Sequence, residues 1–152
     1  MNPDFSELLS RYQNHGVIFD YPGFWKLHEE QDDSGEILIT VAVDETAFWM
    51  LRILPACPPP SEVVHTCVAA FEDEYEDVEH THEHAQLAQM PASASEVSFS
   101  CHDLLNTAWL SAVRISDFTV LVWWQGTDHE LEEHRRVFEF MTASVRIRSL
   151  LD

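Results

Sequence analysis

The residues best equipped for chemistry are imidazoles. Glu79-His80-Thr81-His82-Glu83-His84 sets three histidines at alternate positions, and on an extended strand alternate side chains share a face. Two histidines in that spacing can hold one metal ion. His80 and His84, however, stand about 13 Å apart at the usual strand rise, too far for all three rings to reach one ion. A metal site would need His102 as a further ligand, brought alongside by a neighbouring strand. The simpler expectation is a solvated edge strand whose polar groups discourage edge-to-edge pairing. His80, His82 and His84 would then be exposed and bind transition metals only adventitiously. A third reading is a pH-sensitive patch, since histidines clustered among carboxylates can titrate near neutrality.

Other constellations carry less. Cys101-His102-Asp103 puts a thiol beside an imidazole in sequence, but neighbours on a strand point to opposite faces, so no nucleophile-base contact follows. The serines of residues 91–100 lack a nucleophile elbow, and four glycines leave no phosphate-cradling loop. Glu132-Glu133 reads as an exposed helix face. Trp25, Trp49, Trp109, Trp123 and Trp124 are spaced as core residues, with room for one or two to line a groove. No catalytic residue, metal or cofactor is assigned.

Charge narrows the partners. Twenty-seven acids against eight bases give a net charge of −19, with Lys26 the sole lysine and no Lys or Arg between Arg52 and Arg114. Nucleic acid and anionic membrane surfaces both require a basic stripe, so neither is expected. The acids are densest at Glu72, Asp73, Glu74, Glu76, Asp77, Glu79 and Glu83, with Tyr75 among them. Carboxylates at a helix C-terminus meet the negative end of its dipole, a cost of about 0.3–1 kcal/mol each at low salt. Glu72, Asp73, Glu74, Tyr75 and Asp77 are therefore the candidate binding residues, for a basic segment of a protein partner. Cys57, Cys67 and Cys101 are odd in number and form no CxxC pair, which fits free thiols in a reducing compartment. The N-terminus shows no secretory pattern and no apolar run is long enough to span a bilayer. A cytoplasmic protein is expected, and 152 residues at 45% hydrophobic make one domain spanning 1–152.

The elements that must position these residues centre on 106–126, two strands joined by a tight turn. The second, 119–124, is β-branched and aromatic throughout, as a central strand covered on both faces should be. Before it the pattern predicts a helix over residues 2–16 capped by Asn2, strands at 17–21, 25–29, 36–43 and 47–54, and a turn at Asp44-Glu45. A helix capped by Ser61 follows, with Val63, Val64, Cys67, Val68, Phe71 and Tyr75 as its apolar face. Residues 77–84 read as an edge strand, 86–95 as a loose connection and 96–102 as another strand. Thr127 and Glu130 form a capping box for a last helix that buries Leu131, His134, Phe138, Met141 and Val145. Trp109, Val113, Val120, Val122 and Phe138 should be largely buried. Hairpin-length connections imply one antiparallel sheet of about six to eight strands with helices on both faces, an α+β chain.

Phe19-Asp20-Tyr21-Pro22-Gly23-Phe24-Trp25, the helix ending in an aromatic, and Phe140-Met141-Thr142-Ala143-Ser144-Val145-Arg146 resemble the PsbP-like superfamily. That group includes the Ran-binding import factor Mog and many uncharacterised bacterial domains. The resemblance spans nearly the whole chain and implies an α/β/α sandwich around a central antiparallel sheet. It also implies a non-enzymatic role, since its understood members are photosystem II accessory subunits, Ran-binding factors and chaperones for type VI secreted effectors. No partner-binding residue carries over from it. The expectation is a non-enzymatic adaptor or chaperone-type domain that binds a protein. The alternative is a metal-dependent or small-molecule enzyme using His80 to His84.

Overall fold

The computed structural model describes residues 8–43 and 46–148. Among the described residues five strands, a helix, five more strands, a second helix and a two-residue strand follow in order: β1 (Leu9–Asn14), β2 (Val17–Pro22), β3 (Lys26–Gln31), β4 (Ile37–Ala42), β5 (Phe48–Leu54), α1 (Pro60–Glu74), β6 (Glu76–His80), β7 (Glu83–Leu87), β8 (Met90–Cys101), β9 (Leu104–Arg114), β10 (Thr119–Thr127), α2 (Asp128–Ser144) and β11 (Arg146–Ile147). Eight strands form one antiparallel sheet in the order β3-β4-β5-β10-β9-β8-β6, with β7 paired to the other end of β8. β1, β2 and β11 form a separate three-stranded sheet.

β10 lies mid-sheet because it can bury both faces. Val120, Leu121 and Val122 are inaccessible to solvent, as is nearly all of Trp124. Alternation sends Val120, Val122 and Trp124 to one side, where they meet Phe138 and Met141 of α2 and the Val17–Phe19 stretch of the small sheet. Leu121 and Trp123 go to the other, against Val64, Val68 and Phe71 of α1. The two helices thus lie on opposite faces, the layering expected of an α/β/α sandwich.

Local chemistry sets the helix starts. At α2 the Thr127 hydroxyl accepts from the Glu130 N–H, and the Glu130 carboxylate accepts from the Thr127 N–H. The same carboxylate accepts from the Thr46 hydroxyl and from the backbone N–H groups of Thr46 and Ala47. It therefore pins the β4–β5 connection to the helix. Gly126 allows this approach, since a Cβ there would come within 3.3 Å of Ala47 and Leu131 side chains.

Several expectations need correction. Residues 9–14 are strand β1, not helix; Leu9 and Tyr12 stand at helical spacing, but the segment pairs in register with β2 and Tyr12 stacks on Phe19. The proposed cap Asn2 and the turn Asp44-Glu45 lie outside the described residues. Ser61 does not cap α1: Pro59 is the N-cap, without a side-chain bond, and Pro60 opens the helix, where its missing N–H does no harm. Residues 77–84 are not one strand, because β6 ends at His80 and β7 begins at Glu83. The reading of 86–95 as a loose connection also fails, since β8 starts at Met90 and hairpins back on β7 through Ala88 and Gln89, both at positive φ. Pro91 is tolerated there beside the short β7. Trp109 is half-buried, whereas Val113, Val120, Val122 and Phe138 are buried as expected.

Candidate functional site

α1 covers only part of its face. It packs on β8, β9 and β10 and on Leu54 at the end of β5, so on that side the other even-numbered residues of β4 and β5 are left largely open. Leu38, Thr40, Phe48, Met50, Arg52 and Leu54 are all only half-buried, while their neighbours Ile39, Trp49 and Leu51 on the other face are fully buried. The result is a groove of about 400 Å³ between α1 and the sheet. Its floor is Phe48 and Trp123, whose rings lie 5.9 Å apart, and its helix wall is Cys67, Ala70 and Phe71. A second hollow of about 300 Å³ continues past Arg52 over Leu38 and Met50.

The acidic run borders this groove. Glu72, Asp73, Glu74, Glu76, Asp77 and Glu79 are exposed and Glu83 is half-buried. Of the candidate binding residues, Glu74 and Tyr75 line the groove itself, and Glu72, Asp73 and Asp77 stand beside them in sequence at the end of α1 and the start of β6. No basic residue occupies the last turn of α1, so these carboxylates face the negative end of the dipole without relief. Tyr75 is a wall of the site: its ring packs on Phe99 at 4.5 Å and Phe71 at 6.0 Å, and its N–H caps α1 on the Phe71 carbonyl at 2.9 Å. Burial, with the Glu74 charge adding to it, raises the pKa of the phenol. The far hollow is acidic too, lined by Glu30, Asp32 and Glu36. Arg52 joins the two hollows and is held by an ion pair to Glu36. Burial pushes the Cys67 thiol up, against the pull of Arg52.

The histidines go elsewhere. His80, His82 and His84 are exposed, as expected, but Thr81 bends the chain between them by bonding Glu96 and Ser95 of β8. His80 closes β6 and faces Glu72 at 4.0 Å; the His82 and His84 rings meet edge to face at 5.9 Å. His80 and His82 line an open hollow of about 490 Å³ with His65 and Glu62 of α1. His102 sits with Asp103 in the β8–β9 turn, both at positive φ, rather than on a strand. Among the described residues, no three His, Cys, Asp or Glu side chains are placed to hold a metal ion.

Sequence reasoning missed the groove. Its signal lies in the second face of residues 47–54, where Phe48 and Met50 precede Arg52; their apolar character matches that of the truly buried face, so sequence alone does not tell the two apart. It also missed Leu104 and Leu105, both exposed at the β8–β9 tip.

No protein family and no curated protein matches the chain in sequence. Solved structures do match it in fold. The solution structure of cyanobacterial PsbP from Synechocystis superposes with a TM-score of 0.67 over 91% of this chain and 92% of its own, at 13% identity. LpqN of Mycobacterium tuberculosis, described as involved in cell envelope biogenesis, gives 0.57 over 91% and 90%, also at 13% identity. A Pseudomonas aeruginosa protein of unknown function gives 0.52 over 86% and 91%, at 9% identity. The fold is PsbP-like.

Proposed function

We propose that this protein is a non-enzymatic adaptor or chaperone-type domain that docks a basic, amphipathic segment of a partner protein in the groove beside α1. One observation carries the reading: Glu74 and Tyr75, at the densest run of acids, line the same groove as Phe48, Phe71 and Trp123. An apolar floor supplies the affinity and a rim of carboxylates selects cationic partners and speeds their encounter. A second copy of this chain is a poor occupant, because its own net charge of −19 would oppose the rim. A cytoplasmic place belongs to the same reading, supported by three free cysteines.

The test uses a synthetic peptide alternating Leu and Arg at helical spacing, and the same peptide with Glu for Arg. The Arg peptide should bind, and weaken as salt rises, since the field is screened within about 10 Å at 0.1 M. Neutralising Glu72, Asp73 and Glu74 together should flatten that salt dependence, and Phe48→Asp should abolish binding. Affinity and salt dependence unchanged in both variants would place the contact elsewhere.

A further inference from the structure

On the opposite face of the sheet, the helix cover also stops short. Trp49, Trp124, Trp109 and Glu96 form one cross-strand row over β5, β10, β9 and β8, each paired with the next in register. α2 covers the first two. The Trp49 indole N–H donates to the Thr142 hydroxyl at 3.0 Å, and Trp124 packs on Phe138 at 5.7 Å. Trp109 lies at the margin of that cover and is half-buried.

A cavity of about 230 Å³ opens at this margin, lined by Gln86, Trp109, Trp124, Arg135, Glu139 and Thr142. Three features of it are uncommon together. Arg135 lies over the Trp124 ring at 5.4 Å and bridges Glu96 at 2.6 Å and Glu139 at 3.3 Å, so donors and acceptors meet at one aromatic wall. Trp124 is only 2% exposed, and its indole N–H has no hydrogen-bond partner among the described residues, a donor that buried indoles ordinarily satisfy. The volume equals roughly eight waters at about 30 Å³ each, enough for one small ring and too small for a drug-sized ligand.

The geometry points to a subsite for a single neutral sugar ring, a function separate from the groove beside α1. The carboxylates of Glu96 and Glu139 repel an anion, and Arg135, already paired with both, takes the place a cation would seek. A neutral ligand rich in hydroxyls has neither penalty, because each hydroxyl both donates and accepts. It can accept from Arg135, donate to Glu139 and Gln86, and lay its C–H face on Trp109, whose ring presents an apolar surface at low conformational cost. Beyond Trp109 the same face continues through Ser98, Ser100 and Thr107, all half-buried and polar, a surface on which further sugar units of a chain would meet hydroxyls.

The test follows the five indole N–H resonances of the full chain by NMR during titration with glucose, mannose, galactose and N-acetylglucosamine. At least one sugar should shift the Trp109 and Trp124 signals while leaving Trp123 in place, with a Kd on the order of 1 mM. Trp109→Ala should weaken this at least tenfold. Arg135→Gln, at an exposed position that leaves the core intact, should do the same. Spermine and glucuronate should not compete. The inference falls if none of the four sugars moves either signal at about 100 mM, if both variants bind as well as the parent, or if either charged probe shifts the Trp109 and Trp124 signals at a lower concentration than the sugars do.

Discussion

The central sheet is left bare in two places, diagonally opposed, and the two differ in what they expose. On the α1 side the open half is over β4 and β5, apolar at Phe48, Met50 and Leu38 and bounded by carboxylates at both ends. On the α2 side it is over β8 and β9, where Trp109 is followed by Ser98, Ser100 and Thr107 before the single exposed Leu105 at the tip. Both arise from the same cause: each helix is narrower than a sheet of eight strands, and the small β1-β2-β11 sheet closes only the β4–β5 end of the α2 side. The lesson is that an open face need not be a liability of one kind. An apolar open half must be partnered or kept apart by charge, whereas a polar one is stable in water as it stands.

The largest effect should come from what separates covered from open. Phe138 is fully buried between Trp25 and Trp124, so Phe138→Ala should cost about 3–5 kcal/mol. An unchanged denaturant midpoint would mean that α2 does not close this side. A finer division runs along one strand. Leu51→Ala removes a fully buried side chain and should cost about 2–5 kcal/mol, while Met50→Ala, one residue away on the open half, should cost less than about 1 kcal/mol. Equal costs for the two would show that the α1-side groove is filled in solution.

Glu130 joins the β4–β5 connection to α2 and gives the comparison a pH axis. Burial alone would raise its pKa, but hydrogen bonds from Thr127, Thr46 and Ala47 lower it to about 2, against 4.5 unperturbed. A depressed carboxylate stabilises the fold above the unfolded value and loses that contribution as pH falls through the folded one. On the order of 2–3 kcal/mol should therefore disappear between pH 4.5 and 2. Glu130→Gln should lower the midpoint at pH 7 and flatten the acid limb of the stability curve. A limb of unchanged steepness would assign acid sensitivity to other carboxylates.

Much of this was legible in the sequence. The capping box at Thr127, the central strand at 119–124 and the second helix are local patterns, and local patterns survive folding. What was not legible depended on partners distant in the chain. Leu9 and Tyr12 stand at helical spacing, and it is pairing with β2, with Tyr12 on Phe19, that decides in favour of strand. Thr81 splits the histidine run because β8 offers Glu96 and Ser95 as bonding partners. The acids at Glu72 to Asp77 were visible as a cluster, but the groove beside them was not. Whether Phe48 and Met50 are covered is decided by how far α1 reaches across the sheet, and periodicity cannot report that.

The smallest predicted effect separates structure from use at the acidic rim. Glu72 and Glu74 stand in the last turn of α1 with Asp73 between them and no cation to offset them. Each costs about 0.3–1 kcal/mol against the helix dipole at low salt. Replacing the three with Gln, Asn and Gln should therefore raise stability slightly, by about 1 kcal/mol in total, rather than lower it. The gain should shrink toward zero in 1 M salt, where screening acts within about 3 Å. A stabilised triple variant that also loses the cationic peptide would mean that these carboxylates weaken the fold and serve the groove. A variant less stable at every salt concentration would instead make them part of the scaffold, and the contrast between an apolar open half ringed by functional acids and a polar one would no longer hold.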